Sequence, residues 1–423
     1  MQEATLSKPH PVGTAPGRPS FDALILDAKL RQSLVTVRSL GRRGLRSAAL
    51  ETRTFARGVA TFSSRWCAEE FVAPSYEHTP ELFIEYLERV LETCHVKVLI
   101  PSHDGTLAIV RQYRKRLERR TRIAMADERA LSIAVNKART IALAQRLGLA
   151  TPYGVSVNSV RELPAALREV GLPAVIKPVT TWTWGRNGEG KRLVCELVVN
   201  DEEARRAVGA LTASGVAVLV QKFLSGEREA VSFLYANGNV YARFAQWAKR
   251  MQPPLGGTSV FRQSIAVPRD IGEPAERLIR AMELEGYSEI EFRRDASGKP
   301  HLIEINPRLS ASVEVAVRAG VDFPYLLYQW SNGERIDRVE TYRTGGWMRY
   351  LQGDLQTTLE CFAQRGRPGV SPPVKALFDF ATAFFVPSGY DYLDWQDLRP
   401  GLTAAGDFGR SIMRRLRKDN RPG

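Results

Sequence analysis

Cysteine is scarce in this chain, and what there is stands apart. The four cysteines among 423 residues, Cys67, Cys94, Cys195 and Cys361, form no CxxC pair and no Cys/His cluster. That spacing excludes a zinc module and a disulfide framework, and the expectation is reduced thiols in a cytoplasmic protein. Long apolar runs are missing as well. ALILDA near the start and ALFDFATAFFV, broken by Asp379, fall well short of the roughly 20 residues a membrane-spanning helix needs. The first twenty residues, MQEATLSKPHPVGTAPGRPS, lack the basic, apolar and small-residue order of a secretory signal and read as a flexible tail. No GxGxxG follows the first strand, so a dinucleotide fingerprint is absent, and no internal repeat or low-complexity block is visible.

Positive charge is what the chain has in excess, with a formal net charge of +14. Two clusters carry much of it: RQYRKRLERRTR at 111–122 and FGRSIMRRLRKDNR at the C-terminal end. The first has no interleaved aromatic platform beyond Tyr113, which argues against a specific nucleic-acid partner. The second sets Phe408, Ile412, Met413 and Leu416 among arginines, a pattern suited to peripheral contact with an anionic membrane, which would be the inner face for a cytoplasmic protein. For both clusters the alternative is a solvated helix face.

Residues 21–125 alternate strand-like and helix-like segments, the pattern of an α/β layer with a parallel sheet. The pair His103-Asp104 follows the apolar strand VKVLIP, where open α/β sheets place ligands; capping the next helix is the plainer role for Asp104. From about 126 the pattern changes to a longer succession of helices and strands reaching about 330. Within it EAVSFLYANGNVYARFAQWA reads as a hairpin turning at Asn237-Gly238-Asn239. Residues 331–423 have weaker patterns and a proline-rich linker at GRPGVSPP.

The segment SEIEFRRDASGKPHLIEINPR reads as a second hairpin, with DASGKP as its turn. Strict alternation places Leu302, Glu304 and Asn306 on one face and His301, Ile303 and Ile305 on the other. Pairing brings Glu291 beside Glu304 and Asn306. Two carboxylates and an amide on adjacent strands repel unless a cation lies between them, and oxygen-only ligands suit a hard ion such as Mg²⁺. An exposed hairpin of alternating charge is the plainer alternative. Elsewhere, Lys177 ends the strand VIKP, and GRNGEGK with Lys191 could cradle phosphate or form a simple hairpin loop. The segment VLVQKFLSGERE leaves a strand with an amide, a lysine and apolar residues, suited to hydrogen-bonding an adenine edge.

Taken in order, Lys137, Lys177, the glycine-rich loop, QKFL, Glu291 and EINPR resemble the ATP-grasp superfamily, and the resemblance covers about 126–330. It implies an α/β fold with a pre-ATP-grasp α/β domain at 21–125, a two-lobed α+β ATP-grasp domain at 126–330 with a lid at about 137–220, and a C-terminal extension at 331–423. It implies that Lys137, Lys177 and Lys191 contact ATP, that Gln221, Lys222 and Leu224 line the adenine pocket, and that Glu227 or Glu229 binds ribose. Glu291, Glu304 and Asn306 would hold one or two Mg²⁺ (or Mn²⁺) ions, and Arg262 and Arg308 would stabilise the transferred phosphoryl group. Trp182 and Trp184 fall where the family has a mobile loop, either to stack on a ligand or to cover the lid. Departing from the family's frequent carboxylate, the first hinge position is Gln221. The activity implied is an ATP-dependent carboxylate–amine ligase, similar to D-aspartate ligase and carbamoyl-phosphate synthase, acting on small-molecule carboxylates and amines, an amino acid among them. Relatives of this kind are often homodimers. A biotin-carboxylase-like activation of bicarbonate and a nucleotide-binding scaffold held to polyanions by basic helices are the alternatives.

Overall fold

The computed structural model describes residues 18–185 and 187–419, so residues 1–17 of the expected tail lie outside the described residues, as do the side chains from 415 onward, Leu416 among them. The first sheet holds β1 (Ser20–Ile25), β2 (Ser47–Thr52), β3 (Cys67–Ala73), β4 (His95–Ile100) and β5 (Arg122–Ile123) in the order β3-β2-β1-β4-β5. All its pairs are parallel. Two of its three inner strands, β1 and β4, carry Ala23, Leu24, Ile25, Val98, Leu99 and Ile100, all fully buried, as a strand covered on both faces requires. The strand order reverses between β1 and β4. The crevice at that reversal is where Asp27, His103 and Asp104 sit, at the carboxyl ends of the two strands.

A small second sheet follows. Its strands are β6 (Gly154–Val157), β7 (Ala174–Pro178), β10 (Glu196–Val198) and β11 (Val218–Lys222), ordered β10-β7-β11-β6, with β8 (Trp182–Trp184) and β9 (Gly190–Arg192) forming a separate hairpin between them. It has its own core, in which Val157, Ile176, Val198, Val218 and Val220 pack against helices Leu163–Val170 and Asp201–Thr212.

The third sheet has seven strands: β12 (Arg228–Ala236), β13 (Asn239–Gln252), β14 (Thr258–Ile265), β15 (Gly286–Arg294), β16 (Pro300–Asn306), β17 (Trp347–Arg349) and β18 (Ser388–Tyr390), in the order β16-β15-β12-β13-β14-β17-β18. The β12–β13 hairpin turns at Asn237 and Gly238, both at positive φ (48° and 74°), the backbone that Asn-Gly supplies at least cost. Directly opposed residues share a face. Ala230, Gln246, Ser264 and Glu291 therefore stand on the face turned toward the first sheet, while Val231, Phe233, Ile290 and Phe292 pack under helix Arg269–Met282. The segment expected as a separate extension contributes β17 and β18 to this sheet, strands too short for periodicity to reveal.

The basic cluster at 111–122 meets acidic neighbours as ion pairs. Arg111 pairs with Glu128, Arg114 with Glu118, Arg116 with Glu88 and Arg120 with Glu92. Helix Arg399–Asp419 packs on the first domain through Asp407, which accepts from Lys29 at 2.7 Å. Among the described residues no helix is long and apolar enough to cross a membrane, and the cysteines are all free.

A buried ion cluster ties the first domain to the third sheet. Asp391, next to β18, accepts from Arg262 of β14 and from Arg31, which opens the helix after β1; the side chains of Asp391 and Arg262 are 1% and 0% exposed. Burying two guanidiniums here is tolerable only while the Asp391 carboxylate stands between them and offsets their charge. Asp391→Ala leaves two guanidiniums without a counter-charge and is expected to destabilise the fold by about 3–5 kcal/mol, read as a lowered denaturation midpoint. A midpoint unchanged from the parent would show that the cluster contributes nothing to holding the parts together.

Candidate active site

The hairpin of β15 and β16 sets Glu291 directly opposite Glu304 and Glu289 opposite Asn306. A register shift follows: Phe292 faces Leu302, so Ile303 is the extra residue of a bulge. Leu302 thereby joins the core with Phe292 instead of sharing a face with Glu304, which corrects the strict alternation expected from sequence. The bulge is what allows LIEI to bury both Leu302 and Ile305 while presenting Glu304.

Charge is concentrated here. Burial pushes the Glu291 carboxyl up to about 7, with Glu304 and Glu289 adding to the shift and Arg228 opposing it. Burial also disfavours the Glu304 carboxylate, but Lys137, Arg228 and Lys177 outweigh it and hold Glu304 below its usual value. Arg228 pairs with Glu291, Lys137 Nζ stands 3.7 Å from Glu304 Oε2, and Asn306 Nδ2 donates to Glu291 Oε1 at 2.9 Å. Among the described residues no three His, Cys, Asp or Glu side chains gather at metal-binding spacing. Two carboxylates plus the Asn306 carbonyl oxygen do fit a hard divalent cation whose remaining ligands are phosphate oxygens and water.

Two lysines face this shelf from different elements. Lys137 opens helix Lys137–Arg146, whose N-cap Asn136 accepts from Arg139 N, and it donates to Thr181 Oγ1 at 3.1 Å. Lys177 on β7 is 7% exposed; burial and the neighbouring Lys137 lower its pKa, while Cys195 and Glu304 oppose the shift. Arg308, two residues past Asn306, donates through Nε to Asp104 Oδ1 at 2.6 Å. Burial opposes ionisation of Asp104, yet the Arg308 guanidinium holds its carboxyl well below the usual range. Asp104 is therefore an ion-pair partner and not the expected helix cap. That role falls to His103, whose Nδ1 accepts from Gly105 N.

The β8–β9 hairpin lies over the shelf and docks on the first domain. Trp182 packs 5.6 Å from Tyr76 and Trp184 and 6.2 Å from His103, centroid to centroid. Gly105 and Gly190 make room for it: a Cβ at either would lie 2.8 Å or 2.3 Å from the indole. Gly190 N also donates to Glu77 O at 2.7 Å. Between helix Asp104–Gln112, this hairpin and the shelf lies a cavity of about 480 Å³ lined by Asp104, Lys137, Thr181, Trp182, Glu304 and Asn306, among others.

Other expected residues are placed differently. Gln221 is buried and donates to Pro152 O at 3.3 Å, Leu224 is buried beside it, and Lys222 is exposed at the strand end. Lys191 is exposed on β9; one residue on, Arg192 is the charge whose field reaches His103 and Asp104. Glu227 is exposed, and Glu229, opposite Phe292, is paired with Arg294 at 2.7 Å on the face away from Glu291. Arg262 shares the face of Glu291 but stands three strands across, its guanidinium bound to Asp391. The structure thus does not bring Lys191, Glu229 or Arg262 to the cluster. Arg228 and Thr181 are members that sequence reading missed; it finds Asp104 at its strand end but gives it the plainer role of a cap. Arg228 alternates in phase with Ala230, and that phase was the available signal.

Residues 214–353 match the family described as ATP-grasp in the biosynthetic pathway with Ter operon. Over 214 residues, 48% of the chain, it is 28% identical to the carbamoyl phosphate synthase large chain of Methanoculleus marisnigri, covering 19% of that protein. The D-alanine–D-alanine ligase of Chromohalobacter salexigens is 25% identical over 216 residues, 47% of this chain and 64% of that one. The fold superposes on the L-amino acid ligase of Bacillus licheniformis with a TM-score of 0.61 at 16% identity, over 78% of this chain and 80% of the other. These likenesses support the ATP-grasp superfamily, with the family match lying over residues 214–353. It spans about a fifth of the length of the carbamoyl phosphate synthases it matches.

Trp182→Ala removes the wedge that docks the lid. A buried Trp→Ala truncation costs about 3–5 kcal/mol, so exchange of the Gly190 amide should accelerate by more than about tenfold, measured by hydrogen exchange. Unchanged protection would mean that the hairpin is held by something other than the indole.

Proposed function

We propose that this chain is a Mg-ATP-dependent carboxylate–amine ligase. The observation that carries the reading is the opposition of Glu291 and Glu304, ringed by Lys137, Lys177 and Arg228, with Arg308 two residues beyond Asn306. Likeness to ligases at the sequence level supports it.

In this reading Lys137 and Lys177 bind the nucleotide phosphates as point charges. Gln221 and Leu224 sit at the hinge where adenine would be held, and Glu227 remains a proposed ribose contact. Glu291, Glu304 and Asn306 would hold Mg²⁺ or Mn²⁺, which when bound neutralises charge on the phosphates. Arg308 offers a planar fork to the transferred phosphoryl group, and Asp104 fixes its orientation. A substrate carboxylate oxygen attacks the γ-phosphorus and ADP leaves. The amine nitrogen then attacks the acyl carbon, forming the C–N bond as the C–O bond to phosphate breaks. The ammonium loses two protons, one retained by phosphate and one released to solvent. No side-chain nucleophile is required, because positioning and charge neutralisation supply the rate. The docked lid hairpin excludes water that would hydrolyse the acyl phosphate.

The reading is tested by ADP release with Mg-ATP across paired panels of carboxylates and amines, with products weighed by mass spectrometry. Release that requires both partners, with a product one water lighter than their sum, is expected; silence in protein that binds Mg-ATP would sink it. Glu304→Ala should abolish turnover while leaving the far-UV spectrum intact, and retained turnover would reject the metal assignment. Arg308→Lys should lower kcat by on the order of 10²-fold with nucleotide affinity preserved, whereas a near-parental rate would remove Arg308 from the transition state.

A further inference from the structure

The run ALFDFATAFFV at 376–386 is too short to span a membrane, and the site described above does not use it. It lies in helix Pro373–Thr382 and the short turn Ala383–Phe385, which pack beside helix Leu351–Ala363. Helix Leu351–Ala363 is held firmly to the large sheet: its buried Asp354 accepts from Arg250 Nε at 2.6 Å and from Arg349 Nε at 2.7 Å, on β13 and β17. Helix Pro373–Thr382 is anchored far less. Of its ten residues only Ala376 is buried. A helix of that length is marginal in water by itself and depends on covering its apolar face.

That face points outward. Val374, Leu377 and Phe378 are 81%, 54% and 66% exposed, Phe385 just beyond is 88% exposed, and on the neighbouring helix Leu359 and Phe362 add 59% and 50%. Phe380 and Phe384 lie against the Arg349 guanidinium, with ring centroids 4.6 and 4.2 Å from its carbon, so part of the run is already engaged and these residues are what the fold leaves uncovered. At about 200 Å² for a phenylalanine and somewhat less for leucine or valine, the six side chains present roughly 700 Å² of apolar surface. That exceeds the roughly 300–600 Å² of the largest patch on an ordinary monomer and approaches the ~800 Å² that each partner gives to a stable interface.

The six side chains carry no charge. Lys375 and Asp379 flank them and pair with each other at 2.6 Å, and Glu360 of the neighbouring helix accepts from Gln252. A face without surplus positive charge has no electrostatic hold on an anionic membrane. Residues 1–17 offer only Met1, Leu6 and Val12 as large apolar side chains, too few to cover it.

We propose that this face joins two copies of the chain about a two-fold axis. An apolar face is its own complement, as a two-fold contact requires. With the axis at Leu377, midway between Lys375 and Asp379 in sequence, antiparallel copies of helix Pro373–Thr382 set Lys375 of each copy toward Asp379 of the other. The rim is then matched in charge as the centre is in polarity, and the helix gains the cover it lacks. The inference is independent of the ligase reading.

Sedimentation velocity of the full chain across the micromolar range should show a dimer that forms with concentration and persists in high salt, because the contact is apolar. Phe378→Glu and Leu359→Glu place a charge in the face from two different helices. Both positions are exposed, so the near-UV spectrum should hold while the dissociation constant rises by about thirtyfold or more. In the parent, amide exchange in helix Pro373–Thr382 should slow as concentration rises. A parent that stays monomeric would overturn the assignment, as would a dimer indifferent to whichever variant folds, or exchange in that helix that ignores concentration. A monomer that floats with phosphatidylglycerol vesicles, and loses them in Phe385→Asp, would overturn it in favour of a membrane.

Discussion

Two carboxylates opposed across the edge strand of the large sheet and its neighbour repel each other, and the arrangement of this molecule follows from what offsets that repulsion. Glu291 and Glu304 are opposed in register. The cations that stabilise them arrive from three separate places: Arg228 on the neighbouring strand, Lys137 at the start of a helix, and Lys177 on the small sheet. The field of the shelf therefore reaches from the seven-stranded sheet into the lid. Glu291 remains the weak member, its carboxyl raised to about 7 by burial and by its acidic neighbours. A site so poised gains from a divalent cation what it would otherwise take from a proton.

A second link runs from the shelf to the first domain. Arg308 reaches Asp104 at the carboxyl end of β4, beside the strand-order reversal of the parallel sheet. From the same crevice, Tyr76 and His103 receive Trp182 of the lid. His103 is neutral there, its pKa pushed down to about 4 by burial, so the slot for the indole carries no competing cation. One crevice thus fixes both the arginine of the proposed transfer step and the lid that covers it.

Much of this was legible from residue order. The apolar runs of β1 and β4, the Asn-Gly turn and the two-stranded EIEF/LIEIN pattern each follow from a local rule, and the structure has the α/β sheet and both hairpins. The opposition of Glu291 and Glu304 was readable because a short turn fixes register. Other features depend on non-local facts. The bulge at Ile303 redirects Leu302 to the core, and nothing in HLIEIN distinguishes a bulged strand from a regular one. The strands β17 and β18 are three residues each and acquire their identity only by adding to a sheet edge. The basic run at 111–122 is charged because acidic residues on the preceding helix, Glu88 and Glu92, face it, a pairing across 28 residues of sequence.

Arg262 and Arg228 show where alternation stops being informative. Phase along a strand decides which face a side chain takes, and both arginines take the face of Glu291. Phase does not say how far across the sheet the residue stands. Strands are about 4.8 Å apart, so Arg228 on β12 is one spacing from β15 and can pair with Glu291, while Arg262 on β14 is three spacings away, about 14 Å. At that distance a guanidinium needs another counter-charge, and it finds Asp391 where β18 ends the sheet. The same face therefore has two charge centres, one at the hairpin that could hold a metal and one at the far edge that binds the chain's last strand, and strand order alone decides to which of them an arginine belongs.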